Sequence, residues 1–386
     1  MATMSAGMIH RSPCRGPAKG RTAKAPTKHH GPHNSYSVQA LPHDAHHRTG
    51  EARSGIRRPD IASMSMETRK LMEAVVVGEA GQLEIQPVPL PQAKHDEAIV
   101  ELHATSINRG EARRAKQVAK PGFRPGWDVA GVVRQAAENG CGPPVGARVV
   151  GLLTGGAWSE FTAIPVTALA ELPPGISFAE ASCLPVAGLT ALYALHRGAS
   201  LVGRRVLVTG ATGGVGHLAC QIGQASGATV IAAIRDPAHE PFVRRFGADA
   251  VALIGDEASA VSRYGPYDLI VESVGGAMLE ACLPALSPHG LCVALGVSGG
   301  RRFSLDAEAF FRARASLTGM VLFHDLQTIE SAATGLSRLL SLMARGKLRP
   351  HIGGRRPWLE IDSAADDLLK RAMPGKIVIE RRRDEH

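Results

Sequence analysis

At 386 residues the chain is long enough for two domains with separate cores, and 44% hydrophobic residues is ordinary for a globular protein. The formal charge of +9 is concentrated at one end: residues 1–70 hold twelve Lys/Arg against four Asp/Glu, a net +8, which leaves +1 for residues 71–386 and no general attraction for nucleic acid. The six cysteines are scattered without a CxxC pair, which argues against a disulfide scaffold, and no apolar stretch of about 18 residues offers a membrane span.

Residues 1–70 are rich in Arg, Lys, His, Pro, Ser and Gly and lack a sustained apolar period. Such a segment buries too little apolar area to offset its conformational entropy and is expected to be disordered. It reads as a dispensable basic tail or an over-extended gene model, with a targeting or nucleic-acid-binding arm as the alternative. Short strands follow, separated by Gly and Pro: Glu73–Val77, Ala98–Ala104, Val129–Arg134, Arg148–Leu153 and Glu160–Ile164. From about Ser177 helical segments alternate with compact apolar runs beginning at Val206, Val230, Ala250, Leu269 and Leu291. Runs of this kind suit strands buried on both faces of a parallel sheet. The last sixty residues show one helix near Thr328–Met343 and a closing strand at Lys376–Glu380. The expected organisation is a β-rich catalytic domain over 71–180, a doubly wound domain over 181–322, and a return to the first domain over 323–386.

The strongest motif is Val206-Leu-Val-Thr-Gly210-Ala211-Thr212-Gly213-Gly214-Val215-Gly216, a GxxGxxG loop between a strand and a helix. Val215, Leu218, Ala219 and Ile222 give that helix one apolar face. Glycine permits the sharp turn, the close approach of a pyrophosphate and tight helix–strand packing, while the helix start presents free N–H groups to the phosphates. A dinucleotide site is the reading. The next strand ends at Arg235, where an NAD-selective site normally carries Asp or Glu. A guanidinium there suits a 2′-phosphate and points to NADPH, although Asp236 stands beside it.

With these residues in view, the chain resembles the zinc-independent medium-chain dehydrogenase/reductases of the quinone-oxidoreductase (zeta-crystallin-like) branch. The resemblance rests on Gly210-Ala-Thr-Gly-Gly-Val-Gly with Gln221, Leu184-Pro-Val-Ala-Gly-Leu-Thr190, Gly155-Gly-Ala-Trp-Ser-Glu-Phe and Asp268-Leu-Ile-Val-Glu-Ser-Val-Gly-Gly. Gly346-Lys-Leu-Arg-Pro and Gly375-Lys376-Ile-Val extend it, so that it covers about residues 72–380. It implies an α/β chain with a GroES-like β-rich catalytic domain, a Rossmann domain and an active site between them. Zinc-dependent members carry an early Cys, a Gly-His-Glu triplet and a later Cys or Asp. Here those places read Ser106-Ile-Asn108, Gly126-Trp127-Asp128 and the neighbourhood of Val186, so no metal is expected.

The resemblance implies hydride transfer from NADPH to a small electron-poor acceptor, a quinone or an α,β-unsaturated carbonyl. Asn108 is the expected catalytic residue, holding the substrate oxygen or the nicotinamide through its amide donors, with a turn-forming Asn as the alternative. Glu111 is given only the orientation of the Asn108 loop. Thr190 is expected beside the nicotinamide ribose, with a helix cap as its alternative. The expected cofactor contacts are Thr190, Gly210, Ala211, Thr212, Gly213, Gly214, Val215, Gly216, Arg235, Gly296 and Lys376. His324 is a weaker candidate for a proton donor, His217 a first-turn helix residue, and Trp127 core or pocket wall. A homodimer pairing through the run Leu317–Phe323, a cytoplasmic setting, and no nucleic-acid or membrane partner complete the expectations. An enoyl-thioester reductase and a non-catalytic NADPH-binding sensor stand as rival readings.

Overall fold

Residues 69–326 and 328–381 are described by a computed structural model, and the tail expected over 1–70 lies outside the described residues as far as residue 68. The chain forms β1 (Leu71–Val77) and β2 (Leu83–Pro89) as an antiparallel ribbon. There follow β3 (Glu97–Ile107), α1 (Arg109–Gln117), β4 (Asp128–Gln135), β5 (Arg148–Leu152), β6 (Phe161–Pro165) and β7 (Leu169–Glu171). The five strands foreseen in this stretch are all present; β7 is an addition, and so is β2. Its Pro87 and Pro89 read as strand breakers, but β2 pairs only with β1, and such an edge tolerates missing donors.

Two helices, α2 (Phe178–Ser182) and α3 (Pro185–His196), lead into β8 (Arg205–Val208), α4 (Gly216–Ala225), β9 (Thr229–Ile234), α5 (Glu240–Arg245) and β10 (Ala250–Leu253). Then come β11 (Tyr267–Glu272), α6 (Ala277–Cys282), β12 (Leu286–Ala294), α7 (Ala307–Ala313) and β13 (Ser316–Gly319). The sheet runs β10-β9-β8-β11-β12-β13, with every neighbouring pair parallel. Its strands are covered on both faces: Val206 and Val208 pack on one side with α3 and α4, Leu207 on the other with α6. The order reverses between β8 and β11, which opens a crevice at their carboxyl ends, where such sheets bind ligands.

The run Leu317–Phe323 is not one edge strand. β13 stops at Gly319, and Leu322–Asp325 turns into a short helix, α8, whose Asp325 is held by Arg197 at 2.7 Å. α9 (Ala332–Ala344) packs on α3, and β14 (Ile352–Pro357), α10 (Ile361–Lys370) and β15 (Lys376–Glu380) follow. A single helix in the last sixty residues was therefore too few. α10 buries Ile361, Ala364 and Ala365 against the catalytic-domain core, while Asp362 and Asp366 on its outer side meet Lys116 at 2.7 and 3.1 Å. The second sheet runs β14-β15-β3-β4-β5-β7, with β6 also on β3, so the chain's end completes the sheet begun by β3.

Candidate active site

The glycine loop lies at the carboxyl end of β8, beside the crevice. Gly210 adopts φ 58°, the left-handed region, and a Cβ on Gly216 would stand 2.3 Å from the Gly210 carbonyl oxygen. The loop therefore has no room for side chains at the places where backbone must meet backbone. Among the described residues, the backbone N–H groups of Val215 and Gly216 find no carbonyl acceptor, while Gly213 and Gly375 form a parallel bridge that turns the Gly214 N–H toward the Gly375 carbonyl. The open Val215 and Gly216 groups form an anion-ready helix start on a ten-residue helix. Beside the loop, Glu272 at the end of β11 accepts from Thr209 Oγ1 and from the N–H groups of Val274 and Gly275. Gly296 lies against the same turn, and a Cβ there would be 2.2 Å from the Ser273 carbonyl oxygen.

The catalytic domain closes on this loop from the far end of the sequence. Gly375 N–H donates to the Thr212 carbonyl at 2.8 Å, and a Cβ on Gly214 would meet the Lys376 side chain at 2.7 Å. Lys376 is buried. Its Nζ donates to Asn108 Oδ1 at 2.5 Å and to the Ile107 carbonyl at 3.1 Å, with Asp128 Oδ2 at 3.7 Å. Asp128, fully buried at the start of β4, is the hub. It accepts from Ser106 Oγ at 2.6 Å, Asn108 Nδ2 at 2.7 Å and the Val186 N–H at 2.9 Å. That last bond ties the start of α3 to the cluster, and Thr190, one helical turn on from Val186, lies on the same face.

The amide of Asn108 is spent on this network. Both Nδ2 hydrogens are engaged, by Asp128 and by Glu111 Oε1 at 2.9 Å, while Oδ1 receives the Lys376 ammonium. Flipping the amide would set its oxygen against two carboxyl groups and its NH2 against a cation, so the network itself fixes the orientation. The expected use of the amide donors on a substrate oxygen is thereby corrected: they are not available. Glu111 does what was expected of it. Its Oε1 accepts the Asn108 backbone N–H at 2.6 Å at the start of α1. Burial first, and then the Asp128 carboxylate, push the Glu111 carboxyl up to about 8.

His217 has more to do than open a helix. It is fully buried, its Nδ1 bonds the Gly213 carbonyl at 2.8 Å, and its Nε2 accepts the His351 N–H at 3.0 Å. One neutral imidazole therefore joins the glycine loop to the segment leading into β14, and burial holds its pKa down to about 4. No motif announced this strut, because its partner is 134 residues away.

Arg235 stands apart from the cluster, exposed at the end of β9 with no partner among the described residues. Asp236, its acidic neighbour, is also exposed and accepts the Ala238 N–H at 2.9 Å, capping the turn that follows. Thr190 lies inside α3 and caps nothing. His324 is exposed on α8. The residues at the centre do not suit a metal. The position of the expected imidazole is an indole, the would-be thiolate an amide, and a lysine ammonium is already present. Among the described residues no group of three His, Cys, Asp or Glu could hold an ion. None of the described helices is long and apolar enough to cross a membrane.

The comparisons agree with this fold. Residues 94–174 match the family model for an alcohol dehydrogenase GroES-like domain, and residues 246–379 match one described as a zinc-binding dehydrogenase. The zinc of that description has no ligand set among the described residues. The chain is 29% identical to the chloroplast envelope quinone oxidoreductase homolog of Arabidopsis thaliana, covering 81% of this chain and 99% of that protein. Against the human quinone oxidoreductase it is 27% identical, covering 81% and 98%. The quinone oxidoreductase of Thermus thermophilus, solved also in complex with NADPH, superposes with a TM-score of 0.69 at 30% identity, covering 80% of this chain and all of that one. With its GroES-like and Rossmann parts and its glycine cradle, the chain is a member of the zinc-independent quinone-oxidoreductase family of medium-chain dehydrogenase/reductases.

Proposed function

We propose that this protein is an NADPH-dependent reductase of quinones or α,β-unsaturated carbonyls. The observation that carries the reading is the loop at 210–216, too tight for a Cβ at Gly216 and ending in unpaired N–H groups, with an unpartnered guanidinium at Arg235 beyond it. The loop and the α4 start would take the pyrophosphate, and Arg235 would take the 2′-phosphate, since Asp236 is occupied in its own turn. Bound NADPH would supply a hydride, and an electron-poor acceptor needs no Lewis acid to receive it. The chain's own residues orient: Asp128 and Glu111 fix Asn108, and Asn108 fixes the Lys376 ammonium, which lies against Gly214. A fixed positive charge beside the loop favours an acceptor whose oxygen gains negative charge, whose proton then comes from solvent.

In this reading the protein acts in the cytoplasm as a homodimer, its copies pairing along the outer edge of β13. The likeness to the CurK enoyl reductase, at 25% identity and a TM-score of 0.70, favours an enoyl thioester as the second candidate acceptor. Steady-state oxidation of NADPH and NADH against 1,2-naphthoquinone, a short enone and crotonyl thioester tests the proposed activity. Turnover of the quinone or enone with NADPH preferred supports the proposal. Turnover of the thioester alone moves the protein to the second acceptor class, and tight NADPH binding with no turnover makes it a sensor.

A further inference from the structure

Trp127 and Phe323 reach each other from opposite sides of the crevice. Trp127 directly precedes β4 in the catalytic sheet, and Phe323 lies on α8, just past β13 of the parallel sheet. Their ring centroids are 5.2 Å apart at 70°, an edge-on contact. Both are held in place. The indole N–H donates to the Thr154 carbonyl at 3.2 Å, and the Leu153 N–H donates to the Trp127 carbonyl at 2.8 Å. Phe323 rides on a single helical turn that Asp325 fastens to Arg197. The indole also covers the Asn108 loop, since a Cβ on Gly110 would lie 3.1 Å from its ring.

The pair stands beside the cluster. The residue after Trp127 is Asp128, hub of the Asn108–Lys376 network, and the glycine loop touches that network at Lys376. Trp158 and Trp358 are buried core residues, whereas Trp127 and Phe323 are half-exposed. The pair packs on the edge of the main core where the two sheets meet, held there by hydrogen bonds and an ion pair and left half-exposed.

We infer that Trp127 and Phe323 form the acceptor wall of the cleft and select flat, conjugated ring acceptors over short open-chain ones. This rests on the reductase reading above and specifies its substrate class. A fused-ring quinone offers a π-face to the indole and an edge to the phenyl ring, and such aromatic contacts add to simple area burial. A short open-chain enone is also flat and conjugated but offers far less surface to either ring. The two side chains are specificity-determining and take no part in the hydride step.

The test joins kinetics to fluorescence. Trp127→Ala and Phe323→Ala are each compared with wild type on 1,2-naphthoquinone and on 3-buten-2-one with NADPH. The expected result is a shift of about tenfold in the ratio of the two KM values toward the enone, with Trp127→Phe restoring most of the preference. Separately, the NADP+-loaded protein, which cannot turn over, is titrated with 1,2-naphthoquinone. Tryptophan emission should be quenched in wild type and much less in Trp127→Phe, which keeps the aromatic volume and guards against misfolding. An unchanged KM ratio in both alanine variants, or equal quenching with and without Trp127, overturns the wall. Absence of wild-type turnover on both acceptors overturns the reductase reading instead, and the quenching comparison then decides the wall alone.

Discussion

The crevice has two sides built on different principles. On the parallel-sheet side the binding surface is backbone: glycines that turn, N–H groups left open, and side chains excluded by distances such as 2.3 Å from a Gly216 Cβ to the Gly210 oxygen. On the catalytic-domain side it is side chain: Asn108, Glu111, Asp128 and Lys376, buried and hydrogen-bonded to one another. A backbone surface depends on the absence of atoms and tolerates no addition. A buried charged cluster depends on balance and tolerates no subtraction.

The largest effect should come from subtraction. Lys376→Ala leaves Asp128 buried without its cation, and breaking such a pair by removing one partner costs about 3–5 kcal/mol. Thermal unfolding should show a deeply lowered midpoint, and a loss below about 1 kcal/mol would mean the cluster is wetter than its burial indicates. Next is the strut between the two sides. His217 is neutral in the folded protein with its pKa lowered to about 4 from 6.5, so its contribution is complete above pH 6.5 and is lost as pH falls toward 4. That amounts to roughly 3 kcal/mol across the window. In His217→Gln the stability curve should be correspondingly flatter between pH 6.5 and 4 than in wild type, and parallel curves would contradict the assignment.

Addition on the other side should act on binding more than on folding. Gly216→Ala forces a methyl into the Gly210 carbonyl and should weaken NADPH by about a hundredfold, roughly 3 kcal/mol. Isothermal titration measures this, and unchanged affinity would move the cofactor elsewhere. The smallest effect belongs to the exposed Arg235. Arg235→Ala should cost NADPH about tenfold and leave NADH nearly unaffected, and equal losses for both nucleotides would remove its link to the 2′-phosphate.

The same contrast explains what could be read from the residues. The glycine loop, the flanking strand and the apolar face of α4 are contiguous, so local pattern carried them. The strand ends were off by a few residues because burial, not propensity, ends a strand such as β3. Asn108 was visible as a loop residue, and Glu111 three places on is the spacing of a helix start. The use of the Asn108 amide was not visible, because its partners Asp128 and Lys376 come from positions 20 and 268 residues away. The His217 strut was hidden in the same way, since nothing near it in the chain names His351. β14, with Gly353, Gly354, Arg355 and Arg356, has no strand composition and forms because β15 lies beside it. α10 was legible in Ile361, Ala364, Ala365 and Leu368, but its three aspartates masked the stripe.

The most direct test of a glycine-cradled cofactor working beside a metal-free, lysine-centred cluster is turnover after metal removal. The protein is treated with a strong chelator, checked for residual metal, and mixed with NADPH and 1,2-naphthoquinone in a stopped-flow spectrometer. The expected result is NADPH oxidation at the untreated rate, unaffected by added zinc. Activity that disappears with the chelator and returns only with zinc would contradict the reading of Asn108, Trp127 and Lys376 at its root.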